Sequence, residues 1–327
     1  MKMKRCIVGL CLALLLGVSV FAQGGGETRT QDPFPSKSVQ FIVPYAAGGG
    51  TDSLMRLLAK AMETELGQSF IITNKAGGLG QVGLTELANA KNDGYTIGAL
   101  SNLDHILVLL TNGNVGYTYD SFEYLGAINT TANVIYANNK NTKFTSVNEM
   151  VAYAKQNPGK LTISISGKTH LAEVALLEKA ASIDLTPVMQ NSGNDSLKAI
   201  LGGHVDLAVM DKNFVAQVTG QGVTPLAVFS AERIAPVTSL PTFTELGYPI
   251  ATETYRVIVA PKGTPAEICQ KITEIIRIVS GKEDFKSKMQ SMSENYRYLD
   301  AEQVKNRLDG DLKAMKDLLT AVPNAFN

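Results

Sequence analysis

The amino-acid sequence predicts an α/β protein of two lobes, whose parallel-type sheets are flanked by helices. Short β-branched runs alternate with amphipathic stretches of helical period, which is the pattern of βαβ units. A chain of 327 residues with this many predicted strands exceeds one small sheet. We therefore expect two crossovers between the lobes, near residues 129–134 and 252–257.

The N-terminus predicts a cleaved signal peptide over residues 1–22. Lys2, Lys4 and Arg5 precede an uncharged apolar run from Ile7 to Val18, and Val20-Phe21-Ala22 offers a cleavage site. The run is shorter than the roughly 20 residues that span a bilayer, although a retained anchor is the alternative. We expect a periplasmic mature protein that begins with a linker over residues 23–35.

The composition of the mature chain excludes several functional classes. Loss of the leader leaves 27 of the 30 basic residues against 30 acidic ones, a net charge of −3, so no basic face indicates nucleic acid. Cys269 alone remains, which excludes an internal disulfide and a Cys₂His₂-type metal site. Cys11 lies in mid-run and matches a lipoprotein cleavage box poorly, so lipidation there or at Cys6 is not favoured.

The predicted elements divide the chain into lobe 1 (residues 36–131 and 256–327) and lobe 2 (residues 132–255). Predicted strands cover residues 39–43, 69–73, 95–100, 134–137, 161–166, 185–190, 205–210, 224–230 and 255–260. The first predicted helix begins at Ser53. The other predicted helices cover residues 84–90, 146–156, 170–181, 195–201, 265–279, 283–292 and 301–319.

A glycine-rich loop between the first strand and helix is the first candidate binding segment. It contains Tyr45, Ala46, Ala47, Gly48, Gly49, Gly50, Thr51 and Asp52. Three glycines let the backbone approach a ligand, and Thr51 or Asp52 is expected to cap the helix, whose free N–H groups favour an anion. A plain tight turn is the alternative.

A second anion-binding helix start is expected on the other lobe. Ser166, Gly167, Lys168 and Thr169 present hydroxyl groups, backbone N–H groups and one cation between a strand and a helix. The segment is no Walker motif, because Thr162 stands where the earlier glycine is required. His170 could donate to a ligand, and a capping or packing role is the equal alternative.

Polar residues at strand ends complete the candidate site. Ser101 and Asn102 follow one apolar strand, and Asp211 follows another, at the edge where open α/β sheets bind ligands. Asp211 could instead cap the next helix. His204 is interpreted as a surface turn residue.

A dinucleotide-binding enzyme is the main alternative from the residues themselves. Gly78 to Gly83 matches G-x-G-x-x-G, and Asp104 follows about twenty residues later. The lengthened loop 74–77 and the predicted export disfavour that interpretation. The sequence contains neither H-E-x-x-H nor G-x-S-x-G. We therefore expect no catalytic activity, no cofactor and no metal.

Several spaced motifs resemble the Bug family, the extracytoplasmic solute receptors of tripartite tricarboxylate transporters. The resemblance extends from about residue 34 to the C-terminus. The matching segments are residues 34–37, 43–52, 74–80, 93–96, 157–161, 201–206, 240–247 and 260–265.

The resemblance implies a two-lobed periplasmic-binding-protein ("Venus flytrap") fold without enzymatic activity. It also implies a small carboxylate ligand, such as a di- or tricarboxylate or an acidic amino acid, and membrane transporter subunits as partners. Residues 45–52 match one pincer, Ser101 and Asn102 a polar contact, and Ser166, Thr169 and His170 the second pincer. Asp211 matches an acidic position that pairs with a ligand amine in some relatives. We expect a monomer.

This chain departs from the family pattern inside the expected pocket. Residues 166–169 form a shorter turn with an extra cation, and residues 189–193 replace a common Pro-Tyr-Lys-Gly segment. The ligand therefore does not transfer from relatives. A receptor that signals to a kinase remains an alternative to transport.

Overall fold

Two sheets carry the strands that the computed structural model defines within its described residues, 34–142 and 144–322. In chain order the strands are β1 (Val39–Val43), β2 (Phe70–Asn74), β3 (Thr96–Ser101), β4 (Phe122–Thr130), β5 (Asn133–Asn138), β6 (Thr162–Ile165), β7 (Thr186–Met189), β8 (Leu207–Asp211), β9 (Val223–Val228), β10 (Arg256–Pro261) and β11 (Asn295–Leu299). The predicted signal peptide and nearly all of the predicted linker lie outside the described residues.

The pairing within the sheets is mixed. The first sheet has the order β11-β4-β10-β3-β1-β2, and the second has the order β7-β6-β8-β5-β9. The expected parallel pairing holds where successive βα units lie side by side, in β2-β1-β3 and in β7-β6-β8. The remaining pairs are antiparallel because β10 and β11 run against the other strands of the first sheet and β5 runs against the other strands of the second.

The chain passes between the sheets at two adjacent points. It leaves the first sheet after Thr130 and enters the second at Asn133, and it returns between β9 and β10. The two crossovers touch through paired backbone hydrogen bonds between Thr131 and Thr254, both 2.8 Å long. The predicted crossover ranges contain both points. The exact lobe boundaries remain a prediction, since residues from Pro35 onward cluster as one unit.

Helices flank both sheets. They are α1 (Gly50–Leu66), α2 (Gln81–Ala88), α3 (Asn102–Thr111), α4 (Val147–Gln156), α5 (Lys168–Ala181), α6 (Gly193–Gly202), α7 (Val215–Val218), α8 (Ala266–Gly281), α9 (Glu283–Ser291) and α10 (Ala301–Ala321), with 3₁₀ turns at Gly78–Gly80 and Lys212–Phe214. Helix α10 starts at a full capping box formed by Asp300 and Gln303.

Burial on both faces explains the continuous apolar strands of the second sheet. Val134 and Tyr136 of β5 pack into one core cluster, while Ile135 and Ala137 pack into another. All four are 0% exposed, because alternate side chains point to opposite faces of the sheet. A polar residue at any of these positions would therefore lie in one of the two cores.

Helix α5 belongs to the cores on both sides of the molecule. Its Val174 and Leu177 pack with the second sheet, whereas Ala172 and Ala175 join the core around the first sheet. Helices α3 and α10 are its neighbours there. One helix thus links the two halves.

Four elements were absent from the sequence prediction, and one predicted cap was wrong. Strands β4 and β11 and helices α3 and α7 were not predicted. Helix α1 is capped by Gly49, whereas Thr51 and Asp52 lie inside its first turn. Gly50, the third glycine of the loop, is the first residue of the helix. Gly48, in contrast, has φ of +79° and forms the turn before it.

Candidate functional site

A cavity of about 320 Å³ lies between the two sheets, where strands β3, β8 and β10 meet the starts of α1 and α5. That volume suits a small organic ligand. Its walls are formed by Tyr45, Thr51, Leu79, Ser101, Asp104, Thr131, Asn133, Ser166, Gly167, Lys168, Thr169, His170, Asp211, Thr254 and Arg256.

The cavity brings together predicted residues from distant parts of the chain. Those that line it are Tyr45, Thr51, Ser101, Ser166, Gly167, Lys168, Thr169, His170 and Asp211. Those outside its walls are Ala46, Ala47, Gly48, Gly49, Gly50, Asp52 and Asn102. Both predicted pincers therefore reach one space, although much of the glycine loop faces elsewhere.

Asp52 shapes the glycine loop from inside. Its Oδ2 accepts hydrogen bonds from Gly48 N at 2.8 Å and Arg56 Nε at 3.0 Å, and its Oδ1 accepts one from Asn74 Nδ2 at 2.9 Å. Burial opposes ionisation, but hydrogen bonds from Arg56, Gly48 and Asn74 outweigh it and lower the pKa of Asp52. These hydrogen bonds occupy both oxygens of the carboxylate, so Asp52 holds the loop in place and does not contact a ligand in the cavity.

Tyr45 ties the glycine loop to the neighbouring strand end. Its hydroxyl accepts a hydrogen bond from Ser101 N at 3.1 Å and donates one to Asp104 Oδ2 at 3.3 Å. Burial, reinforced by the charge of Asp104, raises the pKa of Tyr45, so the phenol stays protonated as a donor.

Asn102 has a bracing position behind the cavity. Its amide donates to Glu253 O at 2.9 Å and to Asp311 Oδ2 at 2.8 Å, and it accepts from Tyr255 N at 3.0 Å. The residue is fully buried. It therefore links α3, the returning crossover and α10, and both its amide nitrogen and its amide oxygen already have protein partners.

The start of α5 holds His170 as a neutral acceptor. Gly167 precedes the helix with φ of +96°, and Ser166 N donates to His170 Nδ1 at 3.0 Å. Burial lowers the pKa of His170 to about 4, against the opposing charge of Asp211. The imidazole is thus uncharged at neutral pH, and an accepting Nδ1 places its proton on Nε2.

Lys168 connects α5 to the far end of α3. Its Nζ donates to Thr111 Oγ1 and, at 2.8 Å, to Asn112 Oδ1. A cation is favourable at the C-terminus of a helix, and Thr111 is the last residue of α3. Burial lowers the pKa of Lys168. The extra cation of this chain therefore bridges the cleft as well as lining the cavity.

Asp211 caps the turn that follows its strand and also lies in the cavity wall. Its Oδ1 accepts from Asn213 N at 2.8 Å, which caps the following 3₁₀ turn, and its Oδ2 accepts from Thr131 Oγ1 at 2.8 Å. It also lines the cavity. Asp211 therefore fixes one crossover against the end of β8.

Arg256 is the main cavity residue that sequence reasoning missed. Its Nε donates to Thr51 Oγ1 at 3.3 Å, and Nη1 forms an ion pair with Glu294 Oε2 at 3.8 Å, which is too long for a hydrogen bond. Buried Nη1 has no hydrogen-bond partner among the described residues. The available signal was a charge directly before the buried run 257–260, in a strand that leaves a crossover.

The other missed residues lie on the crossovers and on one unpredicted helix. Thr131, Asn133 and Thr254 fall within the predicted crossover ranges, so they could have been nominated. Asp104 lies in the first turn of α3, which was not predicted. Its Oδ2 accepts a hydrogen bond from the Tyr45 hydroxyl, and its Oδ1 accepts one from Thr169 Oγ1, both at 3.3 Å.

The segment that resembled a dinucleotide motif forms a tight turn at the cavity. Residues 77–80 all have positive φ, including Leu79 at +55°, which is uncommon for a branched side chain. Leu79 lines the cavity and is 36% exposed. Gly83 packs so closely on Pro44 that a Cβ atom would lie 2.8 Å from the proline ring. These glycines therefore serve close packing beside the first pincer.

Two further features concern the described part of the chain only. No helix in residues 34–142 and 144–322 has the length and apolarity needed to cross a bilayer. Within the same ranges, no group of three or more His, Cys, Asp and Glu side chains is arranged to hold a metal ion.

Comparison with known proteins gives a direct assignment. The model of the tripartite tricarboxylate transporter family receptor matches residues 54–322. The chain belongs to this family. Protein BugT of Bordetella pertussis is 28% identical over 265 residues, which cover 79% of this chain and 80% of BugT. The receptor fold and the resemblance noted in the sequence are thereby confirmed.

Solved structures agree with the assignment. A TctC solute-binding protein from Polaromonas is 26% identical, with a TM-score of 0.78 over 88% of this receptor and 100% of that chain. The R. palustris protein Rpa4515, solved with adipate, is 25% identical, with a TM-score of 0.73 over 88% of this receptor and 97% of that chain. Members of the family are periplasmic solute receptors.

Proposed function

We propose that this receptor binds a small carboxylate in the cavity and delivers it to membrane subunits of a tripartite tricarboxylate-type transporter. The mature protein acts in the periplasm as a monomer, without catalysis or a cofactor. The observation that carries the proposal is the guanidinium of Arg256, whose buried Nη1 lacks a hydrogen-bond partner among the described residues. A carboxylate oxygen is the acceptor that such a donor favours most.

The start of α1 strengthens this anchor. A methyl group on Gly50 would lie 3.8 Å from Glu294 Oε1 and 4.0 Å from Arg256 Nη2, so this pair of side chains sits beside the first turn of the helix. Thr51 Oγ1 orients the guanidinium by accepting from Nε. Free N–H groups of the first helical turn add about 0.3–1 kcal/mol for an anion. The solved relative with adipate supports a carboxylate as the ligand class.

The remaining predicted contacts take supporting roles in this proposal. Ser101, Ser166 and the Nε2–H of His170 provide neutral donors around the carboxylate, while the Thr169 hydroxyl donates to Asp104. The glycine loop over residues 46–50 holds Tyr45 and Thr51 in position. These groups select a small polar ligand, while Arg256 provides the charge that retains it.

Substitution of Arg256 by glutamine tests the proposal. Isothermal titration of the mature protein with succinate, glutarate, adipate, aspartate and glutamate should reveal micromolar or tighter binding of at least one. We expect Arg256→Gln to weaken that binding about 10- to 100-fold, because a charged hydrogen bond contributes about 1.5–3 kcal/mol. Arg277→Gln, at an exposed ion pair with Glu274, is the matched control.

Two results would contradict the proposal in different ways. Absence of binding to every acid, together with no acid retained in native mass spectrometry of periplasmic protein, would reject the ligand class. Unchanged affinity of Arg256→Gln for an acid that the wild type binds would reject Arg256 as the anchor.

A further inference from the structure

The cavity contains as many acidic as basic side chains. Asp104 and Asp211 line it together with Lys168 and Arg256. The imidazole of His170 adds no charge at neutral pH, since burial lowers its pKa to about 4. The formal charges of the described lining residues therefore cancel. A dianion that enters this space would leave two uncompensated negative charges in a partly desolvated site.

Asp104 is the acid whose charge is least compensated. Tyr45 and Thr169 each donate to it at 3.3 Å, and both donors are neutral and distant. No salt bridge to Asp104 forms within residues 34–142 and 144–322. Burial raises the pKa of Asp104 and outweighs the hydrogen bonds from Thr169 and Tyr45 and the charge of Arg256, which forms no ion pair with Asp104. Asp211, in contrast, has two hydrogen bonds of 2.8 Å.

Asp104 also occupies the place where a second ligand carboxylate would bind. Its Oδ1 accepts from Thr169 Oγ1, in the first turn of α5. That helix start is the anion-binding end opposite Arg256 in the pincer arrangement. A carboxylate belonging to the protein therefore competes there with any second carboxylate of the ligand.

We propose that Asp104 makes this cavity select a ligand with one carboxylate and one cationic nitrogen over a dicarboxylate of the same length. The inference rests on the proposed function and narrows its ligand class. Arg256 and the start of α1 bind the ligand carboxylate. The ligand ammonium lies against Asp104 and forms the direct ion pair that this side chain lacks. The charges of the filled cavity then cancel.

Matched pairs of probes test this selectivity directly. Glutarate and 4-aminobutyrate differ in that an ammonium group replaces one carboxylate, and so do adipate and 5-aminopentanoate. Isothermal titration of the wild-type receptor should give at least about tenfold tighter binding of the amino acid in one pair. Asp104→Asn should reverse the preference, by weakening the amino acid and strengthening its dicarboxylate partner. Asp120→Asn, which removes an exposed charge outside the cavity, should leave the preference unchanged.

The outcomes separate this inference from the proposed function. Tighter wild-type binding of the dicarboxylate in both pairs would overturn the inference and leave the proposed function standing. Equal weakening of both probes by Asp104→Asn would also overturn it, since Asp104 would then act on the fold. The thermal unfolding midpoint of Asp104→Asn checks that this variant folds. If the variant does not fold, the preference of the wild-type receptor within each probe pair tests the inference by itself. Wild-type protein that binds no carboxylate of any kind would reject the proposed function itself.

Discussion

Glu173 is a buried carboxyl group that joins α5 to both crossovers. Its oxygens accept from Asn133 Nδ2 at 2.9 and 3.1 Å and from Thr252 Oγ1 at 2.8 Å. Burial raises the pKa of Glu173 from 4.5 to about 8, with a further contribution from the charge of Asp211. The folded protein therefore holds a proton on Glu173 at neutral pH that the unfolded chain releases.

This proton predicts a pH-dependent stability. Between pH 4.5 and about 8 the folded state binds more protons at Glu173 than the unfolded state, so its contribution to stability falls as pH rises. The slope is at most about 1.4 kcal/mol per pH unit. Glu173→Gln mimics the protonated group and should flatten this part of the profile. Urea unfolding at pH 5, 6, 7 and 8 measures it, and parallel profiles would assign the slope to other groups.

Helix α2 gives a prediction at the scale of a single element. Alanine is usually favoured over glycine inside a helix by about 1 kcal/mol. At Gly83 an added Cβ atom would lie 2.8–3.0 Å from Pro44 and from the carbonyl oxygen of Lys75. We therefore expect Gly83→Ala to destabilise the protein and to displace the glycine loop that follows Pro44. Thermal unfolding and the affinity for the ligand should both report the change.

Helix α10 offers the matched control for that substitution. Gly310 is also helical, but an added Cβ atom there would meet nothing within 4 Å. Gly310→Ala should therefore stabilise the protein by about 1 kcal/mol, the ordinary effect of helix propensity. The same direction of change at both glycines would show that contact with Pro44 does not restrict α2.

At the scale of the whole molecule, Lys168 bridges the two halves. Removal of its hydrogen bonds to Thr111 and Asn112 should shift the ligand-free receptor toward a wider cleft. We expect Lys168→Met to increase the radius of gyration measured by small-angle X-ray scattering. Lys179→Met, at an exposed residue near the end of the same helix, should leave the radius unchanged. An identical radius in both variants would mean that Lys168 does not hold the halves together.

Local signals explain which parts of the fold and site were predictable. The apolar run of β1 and the glycines after it are adjacent in sequence, and β1 spans the predicted residues 39–43. Arg256 reaches the cavity only through the antiparallel register of β10 and β3, which sets it opposite Ser101. Strand β4 carries Gly126 at φ of +144° and a register shift against β10, which obscure its alternation. Long-range pairing of this kind is not visible in the local pattern, and the charge before the buried run 257–260 was the only local signal for Arg256.

The alanines of α5 set how much free energy the cleft needs to open. Ala172 and Ala175, with the partly buried Leu176, are the apolar side chains through which this helix meets the core of the first sheet. Separation at the two alanines exposes about one methyl group each, roughly 0.8 kcal/mol apiece. We expect a seam of short side chains to permit sliding and to keep open and closed forms close in energy. A bulkier residue there would change the fraction of receptor competent to bind, and apparent affinity scales with that fraction. Substitutions where α5 meets the core of the first sheet would then change the apparent affinity of the receptor, although these residues do not contact the solute.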